Sequence, residues 1–136
     1  MGNQSSFTLT SPDLAVSADT PVARLVFSSG EMVDVVGPVV VGRAPDPRRA
    51  EVGDHATLVT VPSPHHEISS THLLVQPGRG ADLGNAVVTD VGSTNGTVVV
   101  QPGQPAEDPR PGIGVALQPG ATIDLGEGVT IQVTTA

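Results

Sequence analysis

Residues that favour extended backbone, broken at short intervals by residues that turn it, dominate this chain. Val (22), Thr (13) and Ile (4) make 39 of the 136 residues β-branched, while 16 Gly and 13 Pro interrupt them. β-Branched side chains crowd a helical turn but pack well on a pleated sheet, and Gly and Pro divide strands into hairpins and loops. No stretch keeps apolar residues at helical spacing for three turns without Gly or Pro intervening, which excludes a helical bundle. The predicted class is all-β. Ten runs between turn signals read as strands: 22–27, 32–36, 39–42, 57–61, 73–76, 86–91, 97–100, 114–117, 122–125 and 129–134. Short strands at this density predict a sandwich or a barrel.

A chain of 136 residues fits one domain and leaves no room for a second catalytic one. Residues 1–20 are rich in Ser and Thr without a clear period and read as a disordered tail, so the domain spans 21–136. The opening Met1-Gly2-Asn3-Gln4-Ser5-Ser6 formally matches an N-myristoylation signal, but so short a pattern reads better as a plain disordered start or an expression leftover. Two connections are long. Residues 44–56 carry Pro45, Pro47, Arg48, Arg49 and three acids, and residues 101–113 carry four prolines. Loops of this length in a compact domain are usually functional or disordered.

Fourteen acids against six bases leave a net charge of −8. That charge repels a polyanionic backbone, so nucleic acid is not an expected partner. No apolar run approaches the roughly 20 residues that span a bilayer, and the N-terminus lacks the regions of a signal peptide; the expected location is the cytoplasm. Without Cys, disulfides and thiol chemistry are impossible. Every basic residue is Arg, so positive charge arrives as planar forks suited to bidentate contacts.

Three short loops hold the remaining chemistry. Gly42-Arg43 closes the strand Val39-Val40-Val41. Ile68-Ser69-Ser70-Thr71-His72 sets three hydroxyls before a His. Asp90-Val91-Gly92-Ser93-Thr94-Asn95-Gly96-Thr97 is an Asx/Gly turn between two strands. Each alone reads blandly, as a solvated strand end, a turn bonding its own backbone and a hairpin loop.

Taken together and in this order, Gly-Arg after a strand, Ser-x-x-His, and Asp-x-x-Ser-Thr-Asn-Gly-Thr before a Val-rich strand resemble the signature of the forkhead-associated (FHA) domain. The resemblance covers roughly residues 22–133 and closes on Ile123-Asp124-Leu125-Gly126, similar to the family's last strand and turn. It implies an eleven-stranded, two-sheet β-sandwich whose loops at one end bind phosphothreonine peptides, without enzymatic activity and without a cofactor. The implied partner is a phosphothreonine-bearing substrate of a Ser/Thr kinase, met by a monomeric module acting in signalling or assembly.

The residues fit that role physically. A phosphothreonine brings about −2 charge and three acceptor oxygens. Arg43 offers a fork whose charge does not titrate away, Ser69 and Ser70 offer hydroxyl and backbone donors, and Thr94 offers a third hydroxyl. Asn95 carries donor and acceptor for the main chain of an extended peptide, and Gly96 permits the positive φ that turns the chain beside it. By resemblance, Gly42, His72 and Gly96 are structural, with His72 holding the Ser69 loop.

Two departures from the family pattern stand out. Many members carry Arg or Lys where this chain has Ser70, and 25 residues separate Arg43 from Ser69, more than is common. That segment holds Arg48 and Arg49, expected as auxiliary cations in place of the missing one, unless they pair with Asp46, Glu51 or Asp54. It also holds His65 and His66, which lack a third ligand at fixed spacing and read as solvated, so no metal is expected. A rival enzyme reading makes Ser69 a nucleophile, His72 or His66 its base and Asp90 the orienter, although no Gly-x-Ser-x-Gly elbow is present. The alternative function on the same sandwich is a phospho-independent protein-interaction scaffold. Thr10, followed three residues later by Asp13, is a candidate phosphorylated self-ligand, against the plainer reading of an incidental tail residue.

Overall fold

The computed structural model describes residues 20–136. The tail expected over 1–20 and the Thr10 self-ligand fall outside those residues, Thr20 excepted.

Ten strands form: β1 Arg24–Phe27, β2 Met32–Asp34, β3 Val39–Gly42, β4 Thr57–Thr60, β5 Leu73–Pro77, β6 Ala86–Asp90, β7 Val98–Val100, β8 Val115–Leu117, β9 Thr122–Gly126 and β10 Val129–Thr134. The resemblance implied eleven; the described residues form ten, and each falls on one of the ten predicted runs. They make two five-stranded sheets, ordered β2-β1-β10-β9-β7 and β4-β3-β5-β6-β8. The two-sheet sandwich expected from the sequence is the fold.

Alternation builds the core. Along β10, Val129, Ile131 and Val133 are buried while Thr130, Gln132 and Thr134 between them are not, and Ile123 and Leu125 of β9 and Leu25 and Phe27 of β1 face the same interior. From the other sheet Val39, Val41, Leu73, Val75 and Val88 complete it. Truncating such a side chain to Ala typically costs about 2–5 kcal/mol.

β3 departs from the alternation because it is buried along its whole length. Its inner residues Val39 and Val41 belong to the main core, whereas Val40 packs outward with Leu74 and Ala50, joined by Val52 and Ala56 of the long connection. An unbroken Val run is the pattern of a strand covered on both faces. β3 and β4 are also the parallel pair, with Val39 opposite Thr57. A parallel return needs a crossover of about a dozen residues or more, and residues 43–56 supply it while roofing the outer face of the sheet. The length of this loop is therefore a demand of the topology.

Register brings the three motif loops to one end. Val41 of β3 lies opposite Leu73 of β5, and Leu73 lies opposite Asp90 of β6. Arg43, His72 and Val91 thus leave the same edge of the sheet side by side.

Candidate functional site

Gly42 is required by a crossing of chains. A Cβ built there would lie 2.0 Å from the Ser70 carbonyl oxygen, so any other residue would push the Ser69-Ser70 segment away. Backbone bonds lock the crossing, with Arg43 N–H donating to Ser69 O at 3.1 Å and Ala44 N–H to Ser70 O at 3.0 Å. The Arg43 side chain then folds back along the loop, its Nε–H donating to Ile68 O at 2.6 Å and Nη2 to Ser70 Oγ at 3.1 Å. Two of the five guanidinium N–H groups are used, and no acid among the described residues pairs with it.

Below this crossing lies His72, 0% exposed. Its Nδ1 accepts the Ser69 N–H at 3.1 Å, and its Nε2 lies 3.0 Å from Gly96 O. A nitrogen that accepts carries no proton, so the neutral ring holds its proton on Nε2 and donates to Gly96. Burial holds the His72 pKa below the ordinary imidazole value, although the Gly96 bond and the nearby Asp90 charge pull the other way. Beside it, buried Asp90 organises the third loop. Oδ1 accepts the N–H groups of Gly92 and Ser93, each at 2.8 Å, and Oδ2 accepts the hydroxyls of Ser93 at 2.5 Å and Thr97 at 2.7 Å. Burial alone would raise this carboxyl, but the four bonds together hold it below its ordinary value.

The loops are tied to one another as well. Thr94 N–H donates to Ser69 Oγ at 3.0 Å, and Asn95 Nδ2 donates to Glu67 O at 2.9 Å. Gly96 adopts a φ of 86°, the left-handed turn that Gly takes without strain, and Asp108 lies 3.4 Å from where its Cβ would sit.

Arg43, Ser69, Ser70 and Thr94 come together around a cavity of about 400 Å³. Its rim also carries Arg49 and His66, and no acid among the described residues lines it. Within it the backbone N–H groups of Ser70 and Thr71 and the Thr94 hydroxyl have no partner among the described residues. Asn95 lies outside this cavity, in an adjoining one of about 380 Å³ that shares Thr94 and is bounded by Asp108 and Arg110; its Oδ1 has no partner among the described residues. Arg48 is not among the lining residues. Its side chain is 86% exposed and contacts Asp46 at 3.3 Å, so the two neighbouring arginines part company. Asp46 is in turn pulled below its ordinary pKa, chiefly by its side-chain bond to Arg48.

Glu127 has a role that no motif in the chain points to. It sits at a φ of 53° in the β9–β10 turn, between Gly126 and Gly128, and its carboxylate accepts the Ser63 hydroxyl, His65 N–H at 2.9 Å and Glu67 N–H at 3.0 Å. Desolvation would raise its pKa, but these bonds lower it. Ser63 Oγ also accepts the Ile68 N–H at 3.0 Å, so Glu127 props the segment whose carbonyls receive Asn95 and Arg43. The contact spans 60 to 64 residues, and no local pattern announces it.

The triad of the enzyme reading is not assembled. Ser69 Oγ takes the Thr94 N–H rather than an imidazole, both His72 nitrogens are engaged with backbone, and Asp90 binds its own loop. Among the described residues no group of three His, Cys, Asp or Glu side chains is placed to hold a metal, and no helix is long and apolar enough to cross a membrane.

The class so defined is a two-sheet β-sandwich with a loop-built, acid-free cavity at one end. The chain belongs to the FHA domain family, whose model matches residues 39–126. Comparison with curated protein sequences finds no significant match. Among solved structures it is similar to the FHA domain of an Arabidopsis thaliana hypothetical protein, at 29% identity and a TM-score of 0.59 over 86% of this chain and 87% of that one. It is similar too to an FHA domain studied for its phosphothreonine-dependent interactions, at 25% identity and a TM-score of 0.53 over 84% and 96% of the two chains. The MEK1 FHA domain, solved with a HOP1 phosphothreonine peptide, shares the fold at 19% identity and a TM-score of 0.59 over 85% and 97%.

Proposed function

We propose that this protein is a phosphothreonine-reading module that binds kinase-phosphorylated partners through the cavity bounded by Arg43, Ser69, Ser70 and Thr94. The observation that carries the reading is the make-up of that cavity. In a chain of net charge −8 it collects two of the six arginines and several hydroxyl and backbone donors, and no acid. A dianionic phosphate needs this combination of fixed donors and uncompensated positive charge. Kinship with an FHA domain whose interactions depend on phosphothreonine supports the same ligand.

Arg43 is the charge-assisted anchor, already braced by Ile68 and Ser70, while Ser69, Ser70, Thr71 and Thr94 present hydroxyl and amide donors. Asn95, outside the cavity with its Oδ1 unengaged, meets the main chain of the peptide. Arg49 replaces the cation that Ser70 does not supply, and Arg48 stays with Asp46. Gly42, His72 and Gly96 hold the loops in place. The module is taken to act as a monomer, and a ligand made by Ser/Thr kinases supports a cytoplasmic signalling or assembly role.

The test is an amide-resonance titration with matched peptides, one phosphorylated on Thr and one not, chosen from an oriented phosphothreonine library. Shifts at Arg43, Ser69 to Thr71 and Gly92 to Asn95 that need the phosphate are expected. Equal shifts with both peptides would replace this reading with a phospho-independent scaffold.

A further inference from the structure

A second cavity, at about 690 Å³ larger than the candidate site, adjoins it and shares Arg49, Val91 and Gly92 with it. Its floor is the outer face of β5 and β6, where Leu74 lies opposite Thr89 and Gln76 follows along the strand. One wall is the crossover segment after Arg49, and Arg79 stands in the turn beyond β5. The guanidinium groups of Arg49 and Arg79, the Gln76 amide and the Thr89 hydroxyl have no hydrogen-bond or ion-pair partner among the described residues. Glu51 is the one acid in the lining. With Arg43, three of the six arginines of this acidic chain border one continuous surface, and none is paired with an acid among the described residues.

We propose that this groove is a second recognition surface, taking an Asp- or Glu-bearing segment that flanks the phosphothreonine of the same partner. The inference rests on the phosphothreonine reading above. Charge complementarity sets the occupant, since unpaired guanidinium forks match carboxylates and repel basic segments. Glu51 in the wall disfavours a second dianionic phosphate more than it disfavours a singly charged carboxylate. The shared Arg49, Val91 and Gly92 make the flanking residues of a bound phosphopeptide the segment that reaches the groove.

The test measures binding of phosphothreonine peptides whose flanks are Ala throughout, a run of Glu on either side, a run of Leu, or a run of Lys, each with and without the phosphate. The parent protein is compared with Arg79→Gln, an exposed position that lines only the larger cavity. A Glu flank on one side is expected to tighten binding about three- to fivefold over Ala, the size of a partly solvated charge contact. Arg79→Gln is expected to abolish that gain while leaving the Ala-flanked phosphopeptide unchanged. Equal affinity for Ala and Glu flanks, tighter binding of Leu or Lys flanks, or a gain that survives in Arg79→Gln overturns the inference. If the Ala-flanked phosphopeptide binds and the Glu flank adds nothing, this inference alone fails. If no peptide binds, or the phosphate makes no difference, the phosphothreonine reading fails with it.

Discussion

The candidate site has a floor and a mouth built on opposite principles. In the floor, His72 engages both ring nitrogens and Asp90 both oxygens, and Thr97 is buried against them. At the mouth, Arg43 keeps N–H groups in hand, and the Ser70 and Thr71 amides and the Thr94 hydroxyl have no partner among the described residues. Polar groups shut away from water must be satisfied inside the fold, whereas groups meant for a ligand must be held still yet left open. On the proposed reading, the floor fixes geometry and the mouth supplies affinity. Changes in the first register as stability, and changes in the second as binding.

The sharpest way to break the floor is Asp90→Ala, which strands two backbone amides and two hydroxyls. Unpaired buried groups make this a loss of about 2–4 kcal/mol, read from denaturant unfolding. A loss near zero would mean that water replaces the carboxylate and that the floor is not a closed network.

Acid probes the same floor more gently. The fold favours neutral His72 more than the unfolded chain does, so the unfolded state binds more protons once pH falls below about 6.5. Stability is expected to fall as pH drops from about 7.5 to 5.5, and His72→Gln is expected to flatten that part of the profile. Asp90 and Glu127, both lowered, hold their contributions through this range and lose them only below about pH 4.

Glu127 joins the two regions, because it sits away from the cavity and props the segment that bounds it. Glu127→Gln keeps the size of the side chain but weakens its hold on the Ser63, His65 and Glu67 donors. Weaker phosphopeptide binding with little change in melting temperature is expected, from calorimetric titration beside a thermal melt. Unaltered affinity would show that the loop holds its shape without the prop.

The smallest effects separate the adjacent arginines. Arg49→Gln is expected to weaken phosphopeptide binding about two- to fivefold and to make it less sensitive to salt, whereas Arg48→Gln is expected to match the parent in both. Affinity measured at low and high salt decides between them, and the reverse order would move Arg48 into the site.

The strands were legible because Val, Ile and Thr runs end at Gly, Pro and Asx residues, so all ten runs became strands, with ends shifted by a residue or two. The three motif loops were legible as sequence, and strand register brings them to one end. Less could be read where a decision depends on distant partners. Glu127 meets residues some sixty positions away, and only the folded β9–β10 turn brings it there. Arg48 and Arg49 look alike in the chain; the local bond of Arg48 to Asp46 leaves Arg49 to the cavity. The long crossover was ambiguous between function and disorder, because its reason, a parallel β3–β4 pair, is a fact of topology.

The central claim, that the mouth binds phosphate while the floor carries the fold, is tested most directly by Arg43→Ala. Among the described residues its side chain bonds only Ile68 and Ser70, so melting is expected to change little. Losing the charged anchor of a partly buried phosphate typically costs about 2 kcal/mol or more, roughly a thirtyfold loss of affinity. Titration of Arg43→Ala with the best phosphothreonine peptide, beside a thermal melt, is expected to give that loss on an intact fold. Parent-like affinity for the phosphopeptide would contradict the account.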